Sequence, residues 1–190
     1  MQPSKNILLI NASPRKQGNT DIILTKIIEL IGSRAVAEKI NINDLKFRPC
    51  QSCGGCDETG LCVLGDELKP IYTKILDADV IIFGSPIHFG SLSAQAKMLI
   101  DRMQPFWVSK IKLKKNSIKP KKGFLILVSG ASKREFFENA KHIIKNFFSI
   151  INSKYSGELF FEGVNAKGEI LDFPGLEKEI AKLADAAICS

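Results

Sequence analysis

The sequence predicts an α/β protein built on a doubly wound, five-stranded parallel sheet. Apolar segments with the spacing of strands alternate along the chain with segments that have helical periodicity. The strand segments, such as Val80–Phe83, are continuously apolar, which is typical of strands buried on both faces. With 190 residues, the chain is long enough for one well-packed domain, and we expect residues 1–190 to form one.

Three strand–helix units are predicted in the first half of the chain. The strands are expected at 5–11, 35–42 and 79–84, and the helices at 19–31, 66–76 and 93–104. The helix over 19–31 carries isoleucines along one face, and Asp66 is a candidate N-cap for the helix that follows it.

Two further units complete the chain. A strand over 123–129 precedes a candidate capping box, Ser132 to Glu135, and a helix that runs to Ile151. A strand near 157–164 and a closing helix around Leu176–Ala187 follow. Because each parallel crossover needs a helix, these five units match the flavodoxin-like strand order 2-1-3-4-5.

The ends of strands 1 and 3 are the predicted ligand site, because strand order reverses between them. Strand 1 runs into a segment with hydroxyls, cations and a glycine just before a helix, which is the pattern of an anion site. The segment contains neither Gly-Lys-Ser/Thr nor G-x-G-x-x-G, so a Walker loop and a Rossmann-type dinucleotide site are both disfavoured.

Four of the five cysteines fall in a predicted loop over 47–65, at Cys50, Cys53, Cys56 and Cys62. Thiolates at this density suit a metal or a cluster, and the C-x2-C-x2-C spacing favours a cubane iron–sulfur cluster over zinc. Three interpretations stay open at this point: a cluster, a zinc ion, or thiols that bind no metal.

Composition excludes several classes of protein. No apolar run reaches the ~18 residues of a membrane span and no signal-peptide segment opens the chain, so we expect no membrane partner and a cytoplasmic location. The net charge is +7, with lysines concentrated at 110–115 and 119–122. These runs lack aromatic interleaving and any nucleic-acid motif, which indicates a solvated loop or attraction of an anionic substrate, not nucleic acid.

Three motifs together resemble the flavodoxin-like NADPH-dependent FMN reductase family. They are Asn11-Ala-Ser-Pro-Arg15 with Gly18-Asn19-Thr20, the segment Gly84–Gly90, and Lys97 with Asp101-Arg102. The match runs in order over residues 5–130. The cysteine loop is similar to the compact motif of the iron–sulfur flavoproteins, which share this fold and hold a [4Fe–4S] cluster near FMN.

The resemblance implies an FMN site with three walls. The FMN phosphate is expected on Ser13, Arg15, Gly18, Asn19 and Thr20. The ring is expected against Pro86, Ile87, His88, Phe89 and Gly90, and Ser129 and Gly130 are expected to close the third side. The metal ligands implied are Cys50, Cys53, Cys56 and Cys62. His88 stands where many relatives carry Tyr or Trp, which leaves open whether its ring packs or hydrogen bonds to the flavin.

The function implied is that of an FMN-dependent oxidoreductase passing electrons from NAD(P)H to a small acceptor. No catalytic side chain is expected, because the cofactor carries the chemistry. The alternative is an iron–sulfur flavoprotein that transfers electrons to a partner protein, and a third is a nucleotide-binding domain without flavin. Such relatives are usually dimers, so a homodimer or tetramer is expected, with residues 104–120 as a lid or dimer element in which Phe106 and Trp107 are exposed.

Overall fold

The computed structural model describes residues 5–115 and 118–189. Five parallel strands form the sheet in the order β2-β1-β3-β5-β6, and the two-residue strand β4 pairs antiparallel with the end of β3. The strands are β1 (Asn6–Asn11), β2 (Val36–Asn41), β3 (Val80–His88), β4 (Ser91–Leu92), β5 (Lys121–Ser129) and β6 (Ser153–Glu162). Without β4, this is the predicted order 2-1-3-4-5, and the flavodoxin-like fold class is confirmed.

Helices cover both faces of the sheet and make three layers. The helices are α1 (Asn19–Ile31), α2 (Lys69–Asp77), α3 (Ala94–Asp101), α4 (Gln104–Trp107), α5 (Arg134–Ile150) and α6 (Leu176–Ile188). The sheet has one apolar cluster on each face. Helices α1 and α6 contribute residues to one cluster, and α2 to α5 contribute residues to the other. Successive residues of β1 alternate between the two clusters, which explains why the strand segments are continuously apolar.

Strand β3 is longer than the sequence predicts. The strand does not end at Gly84: Ser85 and Pro86 continue it and pair with Leu127 and Val128 of β5. The chain reverses instead at Phe89 and Gly90, which have φ of 50° and 75°. These left-handed angles suit a two-residue hairpin turn, and the hairpin joins β3 to β4.

Two predicted helix caps are wrong. Helix α2 starts at Lys69 after Leu68, and the Asp66 carboxylate pairs with Arg102 instead of capping the helix. Helix α5 starts at Arg134 after Lys133, with no side-chain cap, so Ser132 and Glu135 form no capping box. For α2, the buried Arg102 competes with the start of the helix for the Asp66 carboxylate.

The expectation of an exposed Phe106 in residues 104–120 is also wrong. Phe106 is buried, with its ring edge-to-face against Tyr72 at 5.7 Å between centroids, whereas Trp107 is 41% exposed. Helix α4 continues as a single π turn over Val108–Lys112. Residues 116–117 of this segment lie outside the described residues. Strand β6 starts four residues before the predicted strand, at Ser153.

Within the described residues, we find no helix with the length and apolar character needed to cross a bilayer.

The close approach of α1 to β3 predicts a cost for any side chain at Gly84. A Cβ there would lie 2.8 Å from Cγ2 of Thr20 and 2.9 Å from Cδ1 of Leu24. We expect Gly84→Ala to lower the free energy of unfolding by about 1–3 kcal/mol in urea denaturation, because the packed helix has to shift. Gly65→Ala is the control, since a Cβ at Gly65 meets nothing within 4 Å; equal stability of the two variants would contradict the prediction.

Candidate functional site

The carboxyl ends of β1 and β3 lie side by side and are joined by a buried hydrogen-bond network. The N–H of Ala12 donates to the carbonyl oxygen of Gly84 at 2.9 Å. The Ser93 hydroxyl donates to the carbonyl oxygen of Ala12 at 2.6 Å, and the Ser93 N–H donates to Oγ of Ser85 at 3.2 Å. Ser85 and Ser93 are fully buried, so the network fixes the loops that follow the two strands.

The loop between β1 and α1 has the construction of an anion site. Helix α1 starts at Asn19 without a side-chain cap, so the first N–H groups of the helix have no partner within it. The loop turns tightly: Oγ of Ser13 accepts from the N–H of Arg15 at 3.2 Å, and the N–H of Gly18 donates to the Arg15 carbonyl at 3.2 Å. A Cβ on Gly18 would lie 2.9 Å from Cβ of Arg15, so the turn requires glycine.

The sequence predicts Asn19 as a phosphate ligand, but its side chain hydrogen bonds to the backbone of the protein itself. Its Nδ2 donates to the carbonyl oxygen of Ala166 at 2.8 Å, and its Oδ1 accepts from the N–H of Gly168 at 2.9 Å. The side chain therefore holds the segment after β6 against the start of α1. Its backbone N–H, at the helix start, is the group it offers to an anion.

A narrow groove runs between these loops, with a volume of about 70 Å³. Eight of the twelve predicted cofactor residues line it: Ser13, Arg15, Asn19, Thr20, Pro86, Ile87, His88 and Gly130. The groove is narrow because Nη1 of Arg15 donates to the carbonyl oxygen of Asn165 at 2.9 Å across it. Both residues are exposed, so a surface contact between the Arg15 side chain and the Asn165 main chain closes the groove.

The other four predicted residues lie beside the groove and do not line it. Gly18 forms the tight turn before α1, and Ser129 hydrogen bonds to both the N–H and the carbonyl of Ala131. Phe89 and Gly90 form the hairpin tip, where the Phe89 side chain is fully exposed. Nδ2 of Asn139 donates to the Gly90 carbonyl at 2.9 Å and anchors this tip to α5.

Sequence reasoning missed the wall formed by Val164 and Asn165. The N–H of Val164 donates to the Ser129 carbonyl at 2.9 Å, which carries the segment after β6 to the groove. A Cβ on Gly130 would lie 3.1 Å from Asn165, so this glycine makes room for the wall. Only the pairing of β5 with β6 brings these positions together, and no local motif signals it.

The cysteine loop surrounds a second cavity, of about 580 Å³. Cys50, Cys53, Cys56 and Cys62 all line it, and its opposite wall comes from α3, α4 and α5 through Ile100, Pro105, Trp107, Phe147 and Ile150. All four thiols are free, and burial raises the pKa of Cys56. Within residues 5–115 and 118–189, no three Cys, His, Asp or Glu side chains lie close enough together to hold a metal ion.

A buried cation, Arg102, lies at the base of the cysteine loop. Its guanidinium pairs with both carboxylate oxygens of Asp66, at 2.6 and 3.1 Å, and its Nη2 lies 3.5 Å from Sγ of Cys62. Burial alone would lower the pKa of Arg102, but the bond to Asp66 holds that pKa above its usual value. Burial alone would likewise raise the pKa of Asp66, but the bonds from Arg102 and from the N–H of Arg48 hold it below its usual value.

This ion pair predicts a pH-dependent stability. Because the pKa of Asp66 is lower in the folded chain, its contribution is fully present above the unfolded pKa of about 3.9 and is lost as the pH falls through the folded pKa. We expect Asp66→Asn to lower the free energy of unfolding by about 3 kcal/mol near neutral pH, and the difference from the unmutated chain to shrink under acid conditions, as measured by urea denaturation.

The matched control is Asp101→Asn, which removes the exposed partner of Lys97. Its effect is expected to stay below about 0.5 kcal/mol. A deficit in Asp66→Asn that is as large in acid as at neutral pH would contradict the role assigned to the Asp66 charge.

Comparisons with known proteins show the family and the fold of this chain. The family model for NADPH-dependent FMN reductase matches residues 5–162. An iron–sulfur flavoprotein of Methanocaldococcus jannaschii is 35% identical over 145 residues, which covers 76% of this chain and 72% of that protein. The next iron–sulfur flavoproteins in similarity are matched over less of their length, 44% to 49%.

Solved structures with the same fold include two reductases. An FMN-dependent NADH-azoreductase of Bacillus anthracis, in complex with FMN, has a TM-score of 0.66 at 16% identity, covering 95% of this chain and 98% of that one. An NAD(P)H:quinone oxidoreductase of Methanothermobacter marburgensis has a TM-score of 0.66 at 14% identity, covering 97% and 94%. At these identities the structures support the fold, whereas the family match spans most of the chain. The chain belongs to the NADPH-dependent FMN reductase family.

Proposed function

We propose that this chain is an FMN-dependent oxidoreductase that takes electrons from NAD(P)H and passes them to a small acceptor. One observation carries the proposal: the loop before α1 and the end of β3 line one groove at the point where strand order reverses. When bound there, FMN supplies the hydride and electron chemistry, and the protein supplies binding and orientation.

The residues of the anion loop fit a phosphate. The hydroxyls of Ser13 and Thr20 and the N–H groups at the start of α1 are donors, and Arg15 adds a positive charge beside them. Entry of a flavin requires the Arg15 side chain to leave the Asn165 carbonyl, and the guanidinium is then free to bind an anion.

Residues 86–90 fit the edge of a flat ring. Pro86, Ile87 and His88 line the groove at the end of β3, and the hairpin turn is held in place through Asn139. A rigid wall of this kind orients a ring without any acid or base, and we assign no catalytic side chain. His88 is exposed at the groove, so its imidazole is positioned to contact the ring or the donor.

The proposal predicts that nicotinamide nucleotide alone reduces the bound flavin. After reconstitution with FMN under anaerobic conditions, we expect NADPH or NADH to bleach the yellow absorbance of the protein in stopped-flow spectroscopy. Bleaching by dithionite but by neither nucleotide would contradict the proposed electron donor. Failure to retain any FMN would instead favour a nucleotide-binding domain without flavin.

The phosphate assignment predicts a loss of FMN affinity when the two hydroxyls are removed. In Ser13→Ala/Thr20→Ala, we expect the dissociation constant of FMN to rise roughly 30-fold, at about 1 kcal/mol per lost hydrogen bond, as measured by quenching of flavin fluorescence. The control is Thr25→Ala/Ser33→Ala, which removes two exposed hydroxyls farther along α1 and beyond its end. An affinity equal to that of the control would show that the phosphate binds elsewhere.

We propose, as a second candidate function, an iron–sulfur flavoprotein that passes electrons to a partner protein. Two observations favour it: four free thiols line one cavity, and Arg102, which also lines that cavity, has a buried Nε without a partner among the described residues. Soft thiolates are the ligands of iron–sulfur clusters, and a spare N–H donor suits a sulfur acceptor. In chemistry and number the four thiols fit a [4Fe–4S] cluster, and binding it would require the loop to draw the sulfurs closer together. A bound cluster would supply one-electron chemistry.

This candidate function predicts that iron can be lost while the flavin stays bound. In Cys53→Ser, prepared without oxygen, we expect iron and acid-labile sulfide to be lost while FMN stays bound, because the cysteine loop and the groove are separate cavities. Cys189→Ser is the control, since Cys189 lies outside the loop and is exposed. Iron bound equally by both variants would exclude Cys53 as a ligand.

A further inference from the structure

The buried guanidinium of Arg102 joins the two ends of the cysteine loop. Its Nη1 donates to the carbonyl oxygen of Arg48 at 2.6 Å, two residues before the first cysteine of the loop. Its Nη2 donates to Sγ of Cys62, the last cysteine of the loop, at 3.5 Å. The residue is 1% exposed and sits at the end of α3, where its own carbonyl accepts from the Tyr72 hydroxyl at 2.7 Å. Arg102 therefore joins the loop ends from within the core, beside the hydrogen bonds that link Lys46 to Glu67 and Arg48 to Asp66.

The four cysteines are not equivalent with respect to this cation. Among the described residues, Cys62 is the cysteine whose sulfur accepts a hydrogen bond from a charged side chain. The same guanidinium keeps its Nε without an acceptor in that part of the chain. A buried cation with a spare donor, beside a cavity lined by thiols, is suited to sulfur ligands that carry negative charge.

We propose that Arg102 is a positioning residue that holds Cys62 as a ligand of an iron–sulfur cluster and raises the reduction potential of that cluster. The inference rests on the second candidate function. A cluster gains negative charge when it accepts one electron, and a buried cation in contact with a ligand sulfur stabilises the reduced form.

The other charged side chains around the cavity do not replace Arg102 in stabilising the reduced cluster. Asp57 pairs with Lys112 and Asp101 pairs with Lys97, and all four side chains are about half exposed. Solvent and salt screen such pairs, whereas Arg102 is shielded from both. Asp66 offsets part of the Arg102 charge, but in the described contacts it reaches Cys62 only through the guanidinium.

The test compares three variants of the full chain, Arg102→Gln, Arg102→Lys and Asp66→Asn, after anaerobic reconstitution with iron and sulfide. The reduction potential is measured by mediated dithionite titration followed by electron paramagnetic resonance, and iron release is timed with a chelator. Arg134→Gln is the control, because that arginine is 90% exposed.

In Arg102→Gln, we expect reduction of the cluster to become at least about tenfold less favourable, which is ~59 mV for one electron. Arg102→Lys keeps the charge and is expected to keep the potential, but to release iron several-fold faster, because an ammonium cannot hold Arg48, Cys62 and Asp66 together. Asp66→Asn breaks the same ion pair but keeps the cation, so its potential is expected to be no lower than that of the unmutated chain.

Equal potentials in Arg102→Gln and the unmutated chain would overturn the inference and leave the cluster in place. If Arg102→Gln does not fold, a lowered potential in Asp66→Asn, or unchanged iron release in Arg102→Lys, would overturn it. Failure of the unmutated chain to bind a cluster would refute the second candidate function, and this inference with it.

Discussion

The hydrogen bond from the Ser93 hydroxyl to the Ala12 carbonyl is the constraint on which the groove depends. It joins the loop after β1 to the start of α3, and through Ser85 to β3, with all three groups buried. The start of α1 and the hairpin at Phe89–Gly90 therefore stand at fixed positions on one edge of the sheet. We propose that an anion site and a ring wall at those positions together form a mononucleotide site, whereas either alone would be a capped helix or an exposed turn.

The cysteine loop, the proposed cluster site, depends on Arg102 and not on the ends of the strands. No regular secondary structure spans the cysteines, so side-chain contacts fix the position of their loop. Lys112 and Lys115 bond to its middle, and the buried Arg102 contacts both of its ends. A buried cation is unfavourable unless it is paired, and Asp66 provides the pair. In the proposed cluster site Arg102 has both a structural and a chemical role. In the groove the two roles are separate: Asn19 fastens residues 166–170, which follow the wall at Val164 and Asn165, and the proposed binding groups are backbone N–H groups and hydroxyls.

The sequence predicted the layers and the strand order because both follow from apolar runs and crossover geometry. It also predicted eight residues of the groove, because the motifs that contain them resemble those of the FMN reductase family. It did not predict the wall at Val164 and Asn165, which depends on a strand pair distant in sequence, nor the burial of Phe106, which depends on Tyr72. Asp66 looked like a helix cap because its partner, Arg102, lies 36 residues away. Local patterns carry no information on such competitors.

Hydrogen exchange of the apoprotein, with and without FMN, tests the central claim that the carboxyl ends of β1, β3 and β5 and the loops after them form one flavin site. The account predicts slower amide exchange in residues 13–20, 86–92 and 129–131 when FMN is added, with little change in the cysteine loop. Protection confined to the cysteine loop, or to the opposite edge of the sheet, would contradict it.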